Sequence, residues 1–477
     1  MLQTAVSLPI EMADKLELLA TTAVNQRKHT FISYSLRWPS IPMLTFLSQV
    51  ENAPRVYWES DNLSVSLAGY DATAMLYADG PDRFESIRKQ SWKLFRNIIC
   101  LNDKTPDTVG PRLFGGFAFQ VEDKPQALWS AFPAARFMLP RIQLIRLNHE
   151  ETWLTINQAI SPKDDPHEIA WRMHEEIRRL LVIHDLDKPE PSVLNSSHAP
   201  RSVEDLMVFE TWERLVSEAT CRIRRSDLDK VVLARARRMH SRQAVNPIET
   251  LSRLKQNYPG CYRFLFEPVP GHAFYGATPE LLAEVSKPQL RTAAVAGSIR
   301  RGKTKEEDAA LEQELMANPK ERLEHGLVVD VLEENLRPIV TRLKIAPQPS
   351  LLKLSNIQHL KTPITGKLKS TKGILPVIEA LHPTPALGGR PRDIALSIIN
   401  ENEPISRGWY GSPIGWLDPQ QNGVFAVAIR SAVTVNQETL LYAGAGIVAD
   451  SIPDKEWRET QLKFKPLTDA LGGANKA

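Results

Sequence analysis

Near its C-terminal end the chain reads Gly444-Ala445-Gly446-Ile447-Val448-Ala449-Asp450-Ser451 and, after Ile452, Pro453-Asp454-Lys455-Glu456-Trp457-Arg458-Glu459-Thr460-Gln461-Leu462-Lys463. The first part reads as a glycine turn closing a strand. The second reads as a helix, capped by Ser451 or Asp454, with Pro453 in its first turn. On that helix Glu456, Glu459 and Lys463 share one face. Two carboxylates beside a turn that a ligand can approach suit a cation or acid site. The same pattern also suits a solvated, salt-bridged face. A strand running through glycines into a polar-faced helix sets the type of element to look for upstream.

Working outward, Val424 to Val435 reads as one strand and Thr439 to Tyr442 as another. Lys230 to Arg235, Cys261 to Phe266, Ala273 to Tyr275 and Leu281 to Val285 are further strands, with a turn at Pro268 to Gly271. Lys305 to Met316 and Lys320 to Glu334 are helices divided at Asn318-Pro319. An earlier helix opens with Ser202 and Asp205 as a capping box, and Phe209, Trp212, Val216, Ala219 and Ile223 form its inward face. Before it come helices at Glu11 to Val24, Asp82 to Ile99 and Pro166 to Ile183. Strands lie at Phe31 to Leu36, Arg55 to Trp58, Leu63 to Ala68, Arg112 to Phe119, Arg141 to Arg146 and Thr152 to Asn157. Helices and strands mix without strict alternation, which predicts an α+β fold with large antiparallel sheets. The stretch 187–202, with Pro189, Pro191 and Pro200 among polar residues, reads as a linker between an N-terminal part (1–186) and a catalytic region (203–477).

The 477 residues carry a net charge of +3, which gives no reason to expect a nucleic-acid or membrane-surface partner. Arg224-Arg225 and Arg237-Arg238 read as solvated basic pairs. Three widely spaced cysteines fit a reducing cytoplasm and neither a disulfide framework nor a zinc site. No signal peptide, membrane-length apolar run, repeat or low-complexity tract is present. Walker, dinucleotide and Gly-x-Ser-x-Gly motifs are absent.

Several side chains are candidates for chemistry. Lys230 starts an apolar strand, where lost hydration favours the neutral amine; alone it also reads as a snorkelling surface lysine. Glu280, between Pro279 and an apolar strand, has a fixed direction, though a turn acid would look the same. Glu321 and Glu324 repeat the spacing of Glu456 and Glu459, with His325 adjacent. Two Glu-x-x-Glu helices suit a hard divalent cation such as Mg²⁺. His359 and His382 are isolated histidines, the latter in a Pro/Gly-rich loop. Arg430 interrupts an apolar strand and calls for an anion.

Together these motifs resemble the chorismate-utilising enzymes, and within them the isochorismate synthase branch. The matching text includes Lys230 to Arg235, Gly276 to Glu280, Ala296-Gly297-Ser298, Glu321 to His325, Gln358 to Leu360 and Leu381 to Gly389. It continues through Arg407 to Gly411, Ala428 to Ala432, Ala443 to Val448 and Glu456 to Lys463. The resemblance implies one unit with a two-layered antiparallel core, in which 187–202 separates two stretches of the same fold. It implies conversion of chorismate to isochorismate, for a quinone or siderophore pathway, with Lys230 as base and Glu280 as acid. Glu324 and Glu459 would hold Mg²⁺, supported by Glu321 and Glu456. Arg430 and Lys463 would meet substrate carboxylates, Gly444, Ala445 and Gly446 would offer backbone N–H groups, and His359 would orient the ring. Gly297 and Ser298 would line the substrate. Ala296 stands where aminodeoxychorismate synthases carry lysine, and Lys230 stands where anthranilate synthases usually lack it. A monomer without a glutaminase subunit is expected. The runner-up is a salicylate synthase, which also eliminates pyruvate; a non-catalytic chorismate-binding protein is more remote.

Overall fold

The computed structural model describes residues 11–62, 64–101, 105–121, 127–183 and 200–472; Leu63 and most of the 187–202 stretch fall outside them. Two long strands, Val65–Ala78 and Ala135–Leu147, pair along their whole length. From this pair the sheet divides into two arms. Arm one runs from Val65–Ala78 through Arg55–Glu59, Tyr262–Val269, His272–Thr278, Ser431–Val435 and Glu438–Ile447 to Lys230–His240. Arm two runs from Ala135–Leu147 through Leu113–Phe117, Pro413–Leu417, Gly423–Val427, Leu281–Ser286 and Gln289–Arg300 to Ile357–Leu368. All of these pairings are antiparallel.

The alternation of side chains along each strand gives each arm two apolar faces. One core, with Phe264, Phe274 and Leu440 from arm one and Ile414, Val424 and Ala426 from arm two, lies between the arms and is filled by Trp409. The other faces are covered by helices. Met12–Asn25, Pro166–Ile183 and Pro453–Ala470 pack on one side, and Phe209–Arg224, Pro319–Leu336 and Arg392–Asn402 on the other. All three cores draw on residues from both sides of 187–202.

The α+β class with antiparallel sheets is observed, and most elements fall where the pattern places them. Five local expectations change. Ser202–Asp205 is not a cap but a strand on the edge of Lys230–His240, and the helix begins at Phe209. Asp205 instead accepts two hydrogen bonds from Arg237, at 2.7 and 3.0 Å, so Arg237 is paired and not solvated. Glycines 444 and 446 form no turn; they lie within the strand Glu438–Ile447. The following helix has Ile452 at its N-cap with no side-chain cap, while Ser451 Oγ accepts from the Val448 N–H at 3.1 Å.

The fifth change matters most. Val424 to Val435 is two strands, Gly423–Val427 in arm two and Ser431–Val435 in arm one. Periodicity runs on across the break because both halves are buried, so the sequence pattern cannot show it. Arg430 takes the turn, with φ of +50°. Its neighbour does the same: His272–Thr278 in arm one continues as Leu281–Ser286 in arm two through Pro279-Glu280. The two crossings are tied by hydrogen bonds from the Val427 N–H to the Glu280 carbonyl, 3.0 Å, and from the Ala277 N–H to the Arg430 carbonyl, 3.1 Å.

Behind arm one sits a buried ion pair. Arg407 donates to Glu403 through Nε at 2.8 Å and also to the carbonyls of Leu387 and Val232, each at 2.8 Å. Glu403 accepts from the Ala234 N–H at 2.8 Å. Removing one partner of such a pair strands a buried charge, at a cost of about 3–5 kcal/mol. Arg407→Met is therefore expected to lower the unfolding midpoint by several degrees in a thermal melt; an unchanged midpoint would show that the pair is not needed for folding.

Candidate active site

The arms splay apart beyond the two crossings and leave a cleft of about 720 Å³, measured to its open mouth. Lys230, Val232, Gly444 and Gly446 reach it from arm one, Val295 to Ser298 and His359 from arm two. Glu280 and Arg430 come from the crossings, Glu324 from Pro319–Leu336, and Glu459 and Lys463 from Pro453–Ala470.

Lys230 is 1% exposed, and its Nζ donates to Glu324 Oε1 at 2.7 Å. Glu280 is 7% exposed and its carboxyl makes no hydrogen bond or ion pair with any described residue; burial pushes it up to about 7, against the pull of Lys230 and Lys463. The cleft thus holds a carboxyl that can take up or release a proton near neutral pH. His359 is kept neutral by burial, with Arg430 and Lys463 adding to the effect, and its Nδ1 is 2.9 Å from Ser298 Oγ. Arg430 is buried and its Nη1 has no hydrogen-bond partner, so a cation inside the cleft is left to meet an anion. Lys463 donates to Glu459 at 2.6 Å and to the Gly444 carbonyl at 2.8 Å. It lines the cleft, but both partners already hold it.

The glycine strand offers donors for a structural reason. Gly444 lies opposite Ala234 and Gly446 opposite Val232. Ala234 gives its N–H to Glu403, and Val232 gives its N–H to the Gly388 carbonyl at 2.9 Å. Both therefore turn their backbone groups away from the glycines, in non-hydrogen-bonded pairs. The N–H groups of Gly444 and Gly446 consequently face the other edge, where Lys463 reaches the Gly444 carbonyl. Ala445 points the opposite way, into the core, and does not line the cleft; the two-residue period of a strand separates it from its neighbours.

The four glutamates do converge from two helices. Only Glu324 and Glu459 line the cleft; Glu321 and Glu456 stand behind them. Glu321 accepts from the Ser298 N–H at 2.8 Å, which is aimed by a bulge at Gly297, φ +77°. Burial and the neighbouring Glu324 raise Glu321 to about 7, and burial and Glu459 raise Glu456. Burial alone would raise Glu459 too, but Lys463, with Lys320 further off, holds it below the usual carboxylate value. Oxygen donors that repel one another in this way fit a hard divalent cation. Among the described residues, however, no three acidic, His or Cys groups already meet at one point. Lys230, Lys463 and Lys320 hold Glu324, Glu459 and Glu456 in ion pairs instead.

His382 stays out of the cleft. Its Nε2 lies 3.1 Å from the Phe119 carbonyl, so it is a satisfied core histidine. His325 is likewise internal, bonded to the Ala296 carbonyl and Thr362. Sequence reasoning missed Tyr410 and Tyr442, which stack at 5.0 Å in the cleft wall. Tyr442 was findable as the strand position two before Gly444, on the same face.

Residues 17–472 match the family model for chorismate binding enzymes. The chain belongs to that family. It is 33% identical to the isochorismate synthase MenF of Bacillus subtilis over 93% of this chain and 94% of the relative. It is 35% identical to the salicylate biosynthesis isochorismate synthase of Pseudomonas aeruginosa, over 88% and 85%. Among solved structures, the menaquinone-specific isochorismate synthase MenF of Escherichia coli superposes with a TM-score of 0.76 at 25% identity, covering 96% of this chain and all of that one. Enzymes of the chorismate-binding family are generally metal-dependent, which agrees with the carboxylate donor set. No helix among the described residues is long and apolar enough to cross a membrane.

Gly446 tests the site of this chorismate-binding enzyme directly. A Cβ there would come within 2.5 Å of Glu324 Oε1 and 2.9 Å of Lys230 Cε. Both are ends of flexible side chains, so the fold can absorb the change while the Lys230–Glu324 pair cannot stay in place. Gly446→Ala is expected to reduce kcat/KM by about 100-fold, as small misplacements of catalytic groups do, with a thermal midpoint close to wild type. Wild-type turnover would show that the pair's position is not critical.

Proposed function

We propose that this enzyme is an isochorismate synthase in which Lys230 and Glu280 are the proton-transfer groups. Water adds at C2 of the chorismate ring as the C4 hydroxyl leaves. Lys230 takes the proton from the attacking water, and Glu280 gives one to the departing hydroxyl, so the reaction is an isomerisation with no net gain or loss of atoms. The observation that carries this reading is a buried lysine and a buried, unpaired glutamate, its carboxyl pushed up to about 7, in one cleft. General acid–base pairs need such divergent environments. Arg430 receives a substrate carboxylate, the N–H groups of Gly444 and Gly446 supply further donors, and His359, held by Ser298, orients the ring as a neutral hydrogen-bonding group. Lys463 contributes positive potential while anchored to Glu459.

Mg²⁺ held by Glu324 and Glu459, with Glu321 and Glu456 in support, would neutralise the ring carboxylate. To accept a proton, Lys230 must part from Glu324 and meet the water as the neutral amine, which alone has a free lone pair. Ala296 leaves the cleft wall without the amine of the aminodeoxychorismate synthases, which supports water as the nucleophile. The enzyme acts as a monomer in the cytoplasm, without a glutaminase partner.

The decisive experiment incubates purified protein with chorismate and MgCl₂ and separates the products. Isochorismate is expected. Salicylate with pyruvate would instead identify a salicylate synthase, anthranilate formed with ammonia would overturn water addition, and binding without turnover would mark a non-catalytic protein. Lys230→Ala should lose about 10²–10⁴-fold in kcat, the usual size of a general-base contribution, and keep its fold by circular dichroism.

A pH profile isolates Glu280. A general acid works only when protonated, so kcat/KM should hold below pH 7 on the Glu280 account and fall as pH rises through about 7. The residual activity of Glu280→Gln should lack that alkaline limb. A limb that persists in the variant would assign it to another group.

A further inference from the structure

The carboxylate cluster has a resident cation that neither the substrate cleft nor the proposed proton transfers use. Lys320 is the second residue of the helix Pro319–Leu336, one residue before Glu321. Its Nζ donates to Glu456 Oε1 at 3.0 Å and lies 3.9 Å from Glu321 Oε1. The Glu456 side chain is 3% exposed and that of Lys320 28%. Lys320 does not line the cleft. It bridges the two helices that bring the four glutamates together.

The charges in this region do not balance by chance pairing at a surface. Glu324 has Lys230, Glu459 has Lys463 and Glu456 has Lys320, while Glu321 has the Ser298 N–H and the more distant edge of Lys320. Lys230 and Lys463 face the cleft, where substrate can engage them. Lys320 faces the back of the cluster, where nothing in the reaction engages it. We propose that Lys320 is a built-in counter-cation, which competes with a divalent cation for Glu456 and the field of Glu321 and so keeps cation affinity low. The inference rests on the carboxylates being the cation site.

The opposite role would be that Lys320 merely holds Glu456 in place for the cation, and the two roles differ in sign. If Lys320 competes, removing its charge strengthens cation binding. If it only orients Glu456 or stabilises the helix pair, removing it weakens binding or leaves it unchanged. A damaged fold does not create tighter binding, so the predicted direction is not one that a structural lesion would mimic.

The test titrates MgCl₂ into full-length wild-type, Lys320→Met and Lys320→Arg protein by calorimetry at constant ionic strength, without chorismate. Mn²⁺ titrations followed by electron paramagnetic resonance give a second readout independent of turnover. Because the lost charge lies 3.0 Å from Glu456 and 3.9 Å from Glu321, the carboxylates that would support the cation, Lys320→Met should bind Mg²⁺ at least about tenfold more tightly than wild type. Lys320→Arg, which keeps the charge, should stay within about threefold. Should Lys320→Met fail to fold, Lys320→Gln makes the same measurement. Unchanged or weaker binding in the neutral variant, with wild type binding normally, would overturn the inference and leave the carboxylate site standing. No binding by any of the proteins would overturn the carboxylate reading, and this inference with it.

Discussion

The site depends on one constraint: two neighbouring strands must leave one arm of the sheet and enter the other at the same level. They do so at Pro279-Glu280 and at Ala428 to Arg430. Regular pairing stops there, and the backbone hydrogen bonds are completed between the crossings, Val427 to Glu280 and Ala277 to Arg430. Buried backbone groups must be paired, so the crossings are held together and their geometry is fixed. Two side chains of opposite charge type are thereby placed at the floor of the cleft. Glu280 is desolvated there without a partner of its own, and Arg430 is left with an unoccupied donor. Neither state favours folding. Both suit a pocket that receives an anionic substrate and returns a proton.

The walls follow from the same splay of the arms. Once they separate, the far ends of Lys230–His240 and Glu438–Ile447 need support from behind. Glu403 and Arg407 supply it by taking up the N–H of Ala234 and the carbonyl of Val232. This turns the free donors of Gly444 and Gly446 towards the cleft side of their strand. Buried ion pairs of this kind are weak sources of stability, because desolvation offsets much of the attraction. Their value here lies in the direction they impose. Across the cleft, the carboxylates of Pro319–Leu336 and Pro453–Ala470 concentrate negative charge that lysines only partly offset. That imbalance is the electrostatic basis for cation binding.

Much of this was legible in the residues. The paired Glu-x-x-Glu helices, Lys230 at a strand start, Glu280 after a proline and Arg430 inside an apolar run all stood out, and all four features converge. Helical spacing alone put Glu456 and Glu459 together and Glu321 and Glu324 together, because side chains three apart share a face. What misled was local punctuation. Glycines 444 and 446 read as a turn, yet they serve a strand on which a Cβ at Gly446 would displace the ends of Lys230 and Glu324. Ser202 and Asp205 read as a cap, yet the open edge of Lys230–His240 recruited them as a strand. His382 drew interest for its proline- and glycine-rich surroundings, which in fact bury it against Phe119.

The sequence by itself determined the α+β class, the helices and strands that carry the chemistry and the types of side chain available, since these depend on periodicity and residue chemistry within short windows. Residue spacing could not determine which of four glutamates would face the cleft, which only the family resemblance singled out as Glu324 and Glu459, or that Ala445 would turn away while Gly444 and Gly446 turn in. Nor could it show that one apolar run would be two strands in different arms. Those outcomes were decided by tertiary structure, because they depend on which strand lies opposite, which backbone groups it leaves unpaired and which lysine arrives from another helix. Lys320 is the plainest case: in sequence it is a polar residue at a helix start, and only the approach of Glu456 from a helix more than a hundred residues later makes it part of a charge cluster.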